Sequence, residues 1–522
     1  MKKILIFLTI IMLIAPVITV ASSTDTMMRN IMINQTSGED IDPLVDLSVT
    51  VEIKQIRTLE KIDLGLLPIS KIDRSSDPDF FVKVFINTEE FTSPVWNDTK
   101  YVYTPAWSAT TDVPDDVEWV NITIQLWDDG PTGDRLCDIS DNYGNFNETY
   151  DVDIYYNLKT GHWEGDDWLP GYWGGFDPSG YGRLNGCDDN SQYQNDRDCE
   201  MFFDIYQNDF DEDAIPYWTE VNAFNTDPTV DNTGEDFDSD GVAIEWEWKW
   251  GYTQSIDWEN FTWMHDWRYD PLIWEDHQTL DDDEDGIQNS EESRMAGWGS
   301  DPFRKDLFVE LDQMEAGPNG EPASIFPEAS KELLRTAFNK HNVVYHLDDG
   351  SHEDSGSDVI PFDEETTMDW FSENNELDKI YNDYFLHGNP DSWRRGIFHY
   401  GVVVYQCSMA NGNAFGTNSY QISSNGLNEK ATSLPWLKRD IVYASAYMHE
   451  CGHTLNIENA GVDDQNSGSP FMLNYWKWRP YKSCMNYGYT FRMVDYSDGS
   501  RGKNDFNDWN SMDLTAFERD FW

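Results

Sequence analysis

Three short acidic stretches with one spacing constrain the fold of this 522-residue chain more than any other feature. Each places carboxylates at positions 1, 3, 5 and 12 of a twelve-residue frame, and the last two have glycine at position 6. Carboxylates crowded so closely repel one another, so these loops need a cation to hold their shape. Hard oxygen ligands in this number suit calcium better than zinc. The predicted calcium ligands are Asp209, Asp211, Asp213, Glu220, Asp236, Asp238, Asp240, Glu247, Asp281, Asp283, Asp285 and Glu292.

The first loop departs from this pattern, because Ala214 stands where glycine is expected. Glycine makes the sharp turn in such loops, so we expect the first loop to bind calcium most weakly. Pro216 lies inside it, and Gly, Pro and Trp interrupt the flanks, which argues against helix-flanked EF-hands. Residues 225–228 (N-T-D-P) and 299–302 (G-S-D-P) follow the first and third loops. The combination resembles the thrombospondin type 3-like calcium repeats of secreted proteins, and an acidic solvated surface is the alternative.

The charge of the chain excludes some classes of partner. It contains 35 Lys and Arg against 97 Asp and Glu, which gives a net charge of −62. Such a field repels nucleic acid and anionic membranes, so neither is an expected partner. The charge suits a secreted protein that binds cations, or a protein from a salty medium, and composition does not separate these two.

Residues 1–22 have the pattern of a secretory signal peptide. Lys2 and Lys3 precede an apolar run, and Ala21 ends a small-residue cleavage site. A single-span anchor is the alternative. No later stretch of the sequence has the roughly 18 apolar residues of a membrane helix. We therefore predict a secreted, extracellular protein without stable membrane insertion.

Three units are predicted after the signal peptide. Residues 45–160 contain short β-rich runs separated by Asp, Gly and Pro, which is typical of an all-β sandwich. Residues 161–302 are dense in Trp, Gly and Asp and contain the three calcium loops. Residues 303–522 alternate strand-like and helix-like segments, which indicates an α/β domain. The predicted fold is thus multidomain, with a β-sandwich, a calcium-loop-rich middle region and a C-terminal α/β domain.

The first unit carries a resemblance of its own in D-R-S-S-D-P-D-F-F-V-K-V-F-I and I-T-I-Q-L-W-D-D-G-P-T-G-D. The synaptotagmin-type calcium/lipid-binding sandwich also has S-D-P before a V-x-V strand, and clustered aspartates near the end of a later strand. This resemblance implies that Asp77, Asp128 and Asp134 bind calcium. Asp73 and Asp77 are closer than the usual pair of that family, and a β-sandwich with acidic loops is the alternative.

The C-terminal unit contains the motif H-E-x-x-H, formed by His449, Glu450 and His453 in a helix-like segment. Histidines four apart lie on one helix face, so both imidazoles can reach one zinc ion. Glu450 then flanks the metal, where it can take a proton from the attacking water and return it to the leaving amine. The motif predicts zinc-dependent hydrolysis of peptide bonds, and a surface helix with incidental histidines is the alternative.

Residues 483–487, S-C-M-N-Y, resemble the Met-turn of metzincins. From about Lys305 onward, the order strand, helix, two strands, edge strand and helix is also that of zincin metalloproteases. The resemblance implies that Met485 forms an apolar floor under the zinc and that Tyr487 is a fifth ligand or an oxyanion stabiliser. The edge strand near residues 414–421 is then expected to align an extended peptide substrate by β-pairing.

The third zinc ligand departs from the metzincin pattern, which continues H-x-x-G-x-x-H/D. Asn456 stands in the glycine place, where Asn is tolerated because it adopts the left-handed turn that ends a helix. Asn459 stands in the ligand place, and its neutral amide is a poor zinc ligand.

Carboxylates are the remaining candidates, because no histidine follows His453. If the helix continues, Glu458 is rotated off the metal face. Gly461 lets the chain turn back just before the next two carboxylates, Asp463 and Asp464. We predict Asp463 as the third ligand, with Asp464 and Asn459 as the alternatives. Two histidines and one carboxylate form an ordinary catalytic zinc set.

Six cysteines in an exported chain permit three disulfides. Cys187 and Cys199 are close in sequence and are predicted to pair. Cys451 and Cys484 flank segments that must converge on one zinc, so a bond between them is predicted. Cys407 is the competing partner for either of these two.

The leading interpretation is a secreted, calcium-stabilised zinc metalloendopeptidase that acts on a protein or peptide substrate. Its expected cofactors are Zn²⁺ and Ca²⁺. The alternative is a non-enzymatic calcium-binding surface or adhesion protein with a degenerate protease domain, which the absence of a third histidine leaves open.

Overall fold

The structure is a computed structural model that describes most of the chain, with gaps. The predicted signal peptide, Asp73, Cys187 and the candidates for the third zinc ligand lie outside the described residues. The described residues are 33–36, 44, 46–58, 77–103, 105–114, 116–130, 133–140, 150–159, 161–165, 182–186, 197–257, 262–267, 269–339, 341, 343–352, 355–368, 375–408, 410–433, 437–457 and 471–516.

Strands occur along the whole described chain and are labelled in chain order. They are β1 (Ile33–Thr36), β2 (Ser48–Thr58), β3 (Phe80–Ile86), β4 (Glu89–Thr92), β5 (Tyr101–Val102), β6 (Trp107–Asp112), β7 (Trp119–Asp128), β8 (Arg135–Leu136), β9 (Val152–Asn157), β10 (Trp163–Gly165), β11 (Gly182–Asn185), β12 (Cys199–Gln207), β13 (Tyr252–Asp257), β14 (Thr262–Trp267), β15 (Asp306–Met314), β16 (Val344–Asp348), β17 (Val359–Ile360), β18 (Phe398–Val404), β19 (Gly412–Ala414) and β20 (Ser419–Ser423).

Helices begin only after the first two sheets. They are α1 (Tyr217–Thr219), α2 (Ile244–Gly251), α3 (Asn289–Arg294), α4 (Glu328–Asn339), α5 (Glu376–Ile380), α6 (Ser424–Ser433) and α7 (Arg439–Thr454), followed by short helices at Leu473–Trp478 and Asp508–Ser511. Single π or 3₁₀ turns lie at Glu220–Phe224, Ala296–Trp298, Tyr381–Phe385 and Trp393–Gly396. Each described helix is too short or too polar to cross a bilayer.

Two six-stranded sheets enclose one apolar core in the first part of the chain. The first has the order β1-β6-β2-β12-β11 with β5 beside β2, and the second has the order β10-β9-β7-β3-β4 with β8 beside β7. Alternate side chains of β7 are buried, as expected for a strand with one face in a core. Val120 and Ile122 share this buried cluster with Val49 and Val51 of β2. The first sheet extends past the predicted boundary at residue 160, because β11 and β12 belong to it.

The region around the first two acidic loops has only small apolar clusters among its described residues. Ile287 of the third loop and Met295 after it instead join a large cluster of the C-terminal sheet. Helix α2 lies between two of the small clusters. Ile244 and Trp248 face one cluster, and Trp246 and Trp250 face the other, because residues four apart share a helix face. Apolar burial therefore contributes less around the first two loops than in the flanking sheets.

The C-terminal sheet has the order β16-β15-β18-β20-β19, with β17 beside β15. Its inner pairings are parallel where β15, β16, β18 and β20 meet, and β19 runs antiparallel at the edge. Helices α4 and α7 pack on the sheet through a shared apolar cluster that includes Leu334, Phe338, Tyr443 and Tyr447. Strand β15, helix α4, strands β16 and β18 and helix α7 lie where the sequence predicts them.

The predicted edge strand near residues 414–421 is wrong in detail. The chain reverses between Phe415 and Ser419, whose backbones are hydrogen-bonded at 2.9 Å, and it forms two strands there. Strand β20 is fully buried beside β18, and only β19 (Gly412–Ala414) is at the edge. Side-chain bonding decides this turn, because the Asn418 amide donates to the Phe398 carbonyl at 2.9 Å.

The predicted disulfide between Cys451 and Cys484 is also wrong, because both are free, buried thiols in the structure. Cys451 is buried in the apolar cluster of the C-terminal unit, and its carbonyl oxygen accepts a hydrogen bond from the Thr454 hydroxyl at 2.7 Å. Cys484 contacts α7 through its carbonyl oxygen instead of its sulfur. Cys407 and Cys199 are free as well.

Candidate metal centres

Helix α7 brings His449, Glu450 and His453 together at one point. The Nε2 atoms of the two histidines face each other at 3.3 Å. One ligand atom from each of the three residues lies within 4.8 Å of the others. Two nitrogens bound to tetrahedral zinc at about 2.0–2.1 Å are separated by nearly this distance. The observed spacing therefore fits two ligands of one zinc ion.

The first histidine is held in the orientation that metal binding requires. His449 Nδ1 donates to the carbonyl oxygen of Cys484 at 2.8 Å, which leaves the Nε2 lone pair for a metal. Burial, and then the nearby His453, lower the pKa of His449 to about 3. The imidazole is therefore neutral, as a metal ligand must be. Sequence reasoning missed this role of Cys484, because a backbone carbonyl leaves no signal in residue type.

Met485 lies directly under the turn of α7 that bears the motif. It is fully buried, and a Cβ atom added at Gly452 would lie 2.5 Å from its sulfur. Gly452 sits between Glu450 and His453, so the missing side chain lets the methionine approach the helix backbone. Met485 therefore packs against the backbone of α7 between Glu450 and His453, and its role as the apolar floor of a zinc site stays a prediction.

Strand β19 passes over the carboxylate of the motif. A Cβ atom added at Gly412 would lie 2.4 Å from Glu450 Oε1, so the edge strand and this carboxylate are in close contact. The free edge of the C-terminal sheet and the candidate base therefore lie side by side. Sequence reasoning did not single out Gly412, because the contact joins segments far apart in the chain.

Tyr487 lies on the solvent side of the same site. Its ring centroid is 5.4 Å from that of His449, and the residue is 47% exposed. Asp463, Asp464 and Asn459 are outside the described residues, so the third ligand remains a prediction.

The three acidic loops share one backbone conformation. Residues 4 and 6 of every loop have a positive φ: Glu212 (64°), Ala214 (71°), Ser239 (67°), Gly241 (100°), Glu284 (62°) and Gly286 (92°). In every loop the amide of residue 6 donates to the carboxylate of residue 1: Ala214 to Asp209 at 2.8 Å, Gly241 to Asp236 at 3.0 Å and Gly286 to Asp281 at 3.0 Å. The first three carboxylates of each loop converge to within 4.8 Å. Ala214 adopts the glycine conformation at a cost, because its Cβ is strained at positive φ.

The glutamates at position 12 are buried and have oxygens without a described partner. Glu220, Glu247 and Glu292 are each at most 1% exposed. Within the described chain, both oxygens of Glu247 and of Glu292, and one of Glu220, accept no hydrogen bond. Burial is the main cause that raises the pKa of Glu247 to about 9 and that of Glu220 to about 8, and the loop aspartates add to it. Such carboxylates fit a bound cation, which would compensate their loss of hydration.

Glu275 and His277 join the second loop, which sequence reasoning missed. The backbone amide of Glu275 is 3.3 Å from Asp240 Oδ2, and His277 Nε2 is 3.2 Å from the same oxygen. The third loop gains a similar neighbour, because its Asp285 accepts a hydrogen bond from the Asp306 amide at 2.7 Å. Single residues so far along the chain from a loop carry no spacing signal, so only the fold reveals them.

The carboxylates implied at the end of the β-sandwich fit calcium less well. Asp128 is buried, accepts a hydrogen bond from the Asp79 amide at 3.0 Å, and forms an ion pair with Arg135. Lys100 lies 3.7 Å from Asp77. The chain's own cations therefore neutralise charge that a calcium ion would otherwise compensate.

No family model and no curated protein matches the chain. Among solved structures, mature mirolysin from Tannerella forsythia in complex with a cleaved peptide is 12% identical with a TM-score of 0.25, over 40% of this chain and 90% of that one. A C2 domain protein from Ramazzottius varieornatus is 14% identical with a TM-score of 0.18, over 31% and 88%. Human GIVD cytosolic phospholipase A2 is 13% identical with a TM-score of 0.17, over 31% of this chain and only 17% of its own. These likenesses are too weak to indicate a function, which has to be inferred from the geometry of the sites.

Proposed function

We propose that the chain is a secreted zinc metalloendopeptidase whose middle region is stabilised by calcium. The observation that carries the proposal is the facing pair of Nε2 atoms of His449 and His453, 3.3 Å apart, with Glu450 beside them. A surface helix with incidental histidines would not need a neutral, oriented imidazole that is 2% exposed.

Zinc would be held by His449 and His453, with Asp463 as the proposed third ligand and Asp464 or Asn459 as substitutes. The bond from His449 Nδ1 to the Cys484 carbonyl supports ligation, because it orients the ring and raises the basicity of the opposite nitrogen. A bound zinc ion would polarise the scissile carbonyl and increase the acidity of water.

Glu450 is the proposed general base. It is 7% exposed and lies between the two histidines and strand β19. From this position its carboxylate can accept a proton from the attacking water and deliver it to the leaving amine. Tyr487, on the open side of His449, is the proposed donor to the developing oxyanion.

The proposed substrate is an extended segment of protein or peptide. Within the described residues, strand β19 pairs with β20 on one side only, and it lies against Glu450. A peptide that adds to this edge would gain backbone hydrogen bonds and pass the candidate base. The short edge strand, rather than the predicted span near residues 414–421, is therefore the proposed binding element.

The three loops are proposed calcium sites with a structural role. Their buried carboxylates carry like charge, and the described residues around Glu247 and Glu292 that interact with them are mainly further acids. Bound calcium would convert this repulsion into coordination and hold the region between the two flanking sheets.

The replacement Glu450→Gln tests the proposal. The amide has the same size but cannot take the proton, so hydrolysis of an unstructured protein such as casein should fall by about 10²–10⁴-fold. Zinc content, measured by mass spectrometry of the metal, should stay the same. Glu429→Gln, which removes an exposed carboxylate from the neighbouring helix α6, is the matched control and should change neither quantity.

Three results would count against the enzyme. They are purified protein without zinc, no cleavage of casein, or undiminished cleavage in Glu450→Gln. The first two would favour the alternative function, a calcium-binding surface or adhesion protein. The third would reject Glu450 as the base.

A further inference from the structure

We infer that the second acidic loop shares two of its carboxylates with an additional metal site, completed by Glu275 and His277, that binds a divalent transition ion of the zinc class rather than calcium. This group of four residues, Asp240, Glu247, Glu275 and His277, is named the His277 site. It uses none of the residues proposed for catalysis, so the two proposals stand or fall separately.

The distances among the four side chains fit ligands of one ion. His277 Nε2 lies 3.2 Å from Asp240 Oδ2, 3.6 Å from Glu247 Oε1 and 3.9 Å from Glu275 Oε2. All four ligand atoms lie within 4.8 Å of one another. Two ligands bound to a common ion at about 2.0–2.2 Å lie at most about 4.4 Å apart, and the three distances from His277 Nε2 are within this limit.

Burial shows that these groups are not simply solvated. Glu247 and His277 have no exposed surface, and Asp240 is 6% exposed. Within the described residues, His277 Nε2, both Glu247 oxygens and Glu275 Oε2 have no hydrogen-bond partner. Two buried carboxylates and a buried imidazole that point at one another, beside the partly exposed Glu275, need a cation to compensate their lost hydration.

The imidazole decides the class of ion. The loop's own calcium frame consists of oxygen ligands at Asp236, Asp238, Asp240 and Glu247, and calcium prefers such ligands. A histidine nitrogen together with carboxylates suits zinc and related first-row ions instead. Asp240 and Glu247 belong to both sets, so they would bridge the two ions with one carboxylate oxygen each.

Neighbouring groups hold the imidazole in place. Its Nδ1 lies 3.2 Å from the side-chain amide of Asn289, the first residue of α3. The rings of Trp246 and Tyr269 contact it edge-on, with centroids 5.8 and 5.1 Å away. Asn289 Nδ2 faces Nδ1 in the structure, and Asn289 Oδ1 has no described partner. A half-turn of this amide would let Oδ1 accept the Nδ1 proton and leave Nε2 for the metal. The His277 site would thereby link the second acidic loop to helix α3, which follows the third acidic loop.

Metal counting on the full chain tests the inference. The protein is equilibrated with zinc in a large excess of calcium, so that oxygen-only sites hold calcium, and bound zinc is then counted. His277→Ala should contain one zinc equivalent less than the unaltered chain. His387→Ala, which removes a half-exposed imidazole, is the matched control and should lose none.

The difference of one equivalent does not depend on the proposed peptidase. In a His449→Ala, His453→Ala background the proposed catalytic zinc is absent, and one equivalent should remain that His277→Ala removes. If this background retains no zinc, or retains it after His277→Ala, the His277 site is rejected while the peptidase proposal is untouched.

A measurement without replacement of His277 covers the case in which that variant does not fold. Cadmium-113 bound to the His449→Ala, His453→Ala protein should give one resonance shifted downfield by a nitrogen ligand, beside resonances of oxygen-only sites. If only oxygen-ligated resonances appear, calcium alone occupies the second loop and the inference is overturned.

Discussion

Helix α7 and the three acidic loops are both candidate metal centres, yet they rest on different physical support. The candidate ligands on α7 are imidazoles, neutral at His449, on a helix whose opposite face is buried in the C-terminal core. The candidate loop ligands are carboxylates of like charge, and the first two loops lie beside small apolar clusters. In the first region the fold itself positions the candidate ligands, whereas in the second we expect a bound metal to help form the fold.

The contrast also appears in hydrogen bonding. His449 has its second nitrogen satisfied by the Cys484 carbonyl, and Tyr496 donates to the Met448 carbonyl at 2.7 Å nearby. Glu247 and Glu292 instead bury oxygens that no described group satisfies. We therefore expect that removal of metal from α7 abolishes catalytic activity, whereas removal of metal from the loops lowers the folding stability.

The largest expected effect comes from removing each metal with a selective chelator, because the two regions should respond differently. Calcium at about 1,000 times its Kd contributes about 4 kcal/mol per site, so EGTA should unfold the middle region and expose residues 209–292 to proteolysis. A zinc chelator such as 1,10-phenanthroline should abolish hydrolysis and leave the melting transition of the C-terminal unit nearly unchanged. Calorimetry and mapped limited proteolysis measure both effects. An unchanged melt in EGTA would contradict the comparison.

The next effect concerns the ligand that completes the α7 site. If Asp463 binds zinc, Asp463→Ala should weaken zinc binding by more than about 100-fold and reduce hydrolysis with it, because two imidazoles alone hold zinc weakly. Asp464→Ala and Asn459→Ala are the matched controls and should change zinc affinity far less. Competition titration with a zinc indicator measures the affinity. Full zinc binding in Asp463→Ala would reject Asp463 as the third ligand and favour Asp464 or Asn459.

A smaller effect is a change, on calcium binding, in how the folding stability depends on pH. Burial raises the pKa of Glu220 and Asp285 to about 8 and that of Glu247 to about 9 without calcium. Between the unfolded pKa of about 4.3 and these values, the calcium-free folded protein binds more protons than the unfolded chain, so its stability falls as pH rises. With calcium bound the carboxylates are ionised in the folded state as they are in the unfolded chain, so these groups give stability almost no dependence on pH in this window, and this flat dependence replaces the falling one.

Melting temperatures at about pH 5 and about pH 8, with and without calcium, measure this change. The calcium-free protein, prepared by dialysis, should melt higher at the lower pH, and the calcium-loaded protein should lose this difference. The same slope in both forms would mean that the buried carboxylates of the loops do not bind the ion.

The smallest effect lies within the first loop. Ala214→Gly should relieve the positive φ of 71° and stabilise the calcium-bound protein by about 1 kcal/mol, close to a fivefold gain in calcium affinity. Gly241→Ala is the converse change, and an added Cβ there meets nothing within 4 Å, so its cost is conformational only. Calcium titration should show a higher affinity for Ala214→Gly and a lower affinity for Gly241→Ala. If Ala214→Gly weakens calcium binding, backbone strain at residue 214 does not limit the affinity of the first loop.

Much of the local structure could be predicted because it depends on short spacings. The four-residue interval between His449 and His453 is one helical turn, so a helix was sufficient to bring them together. The five-residue core of each acidic loop likewise converges within one turn of chain. Strands such as β7 followed from alternation along ten residues.

Other features could not be predicted because they depend on contacts between distant segments. The sequence interpretation placed the edge strand at residues 414–421 and paired Cys451 with Cys484, and both assignments failed against the structure. The turn near Asn418 and the direction of the Cys484 carbonyl are set by neighbours on β18 and α7. Strand propensity and cysteine spacing contain no information about either.

The sequence by itself determined which residues have metal-binding chemistry and how each local group is spaced. Only the tertiary structure decided how these groups are completed. It placed Gly412 against Glu450, Met485 against Gly452, and His277 beside the second loop. The physical reason is that helix and loop geometry act over a few residues, whereas burial and packing bring together segments that are far apart in the chain.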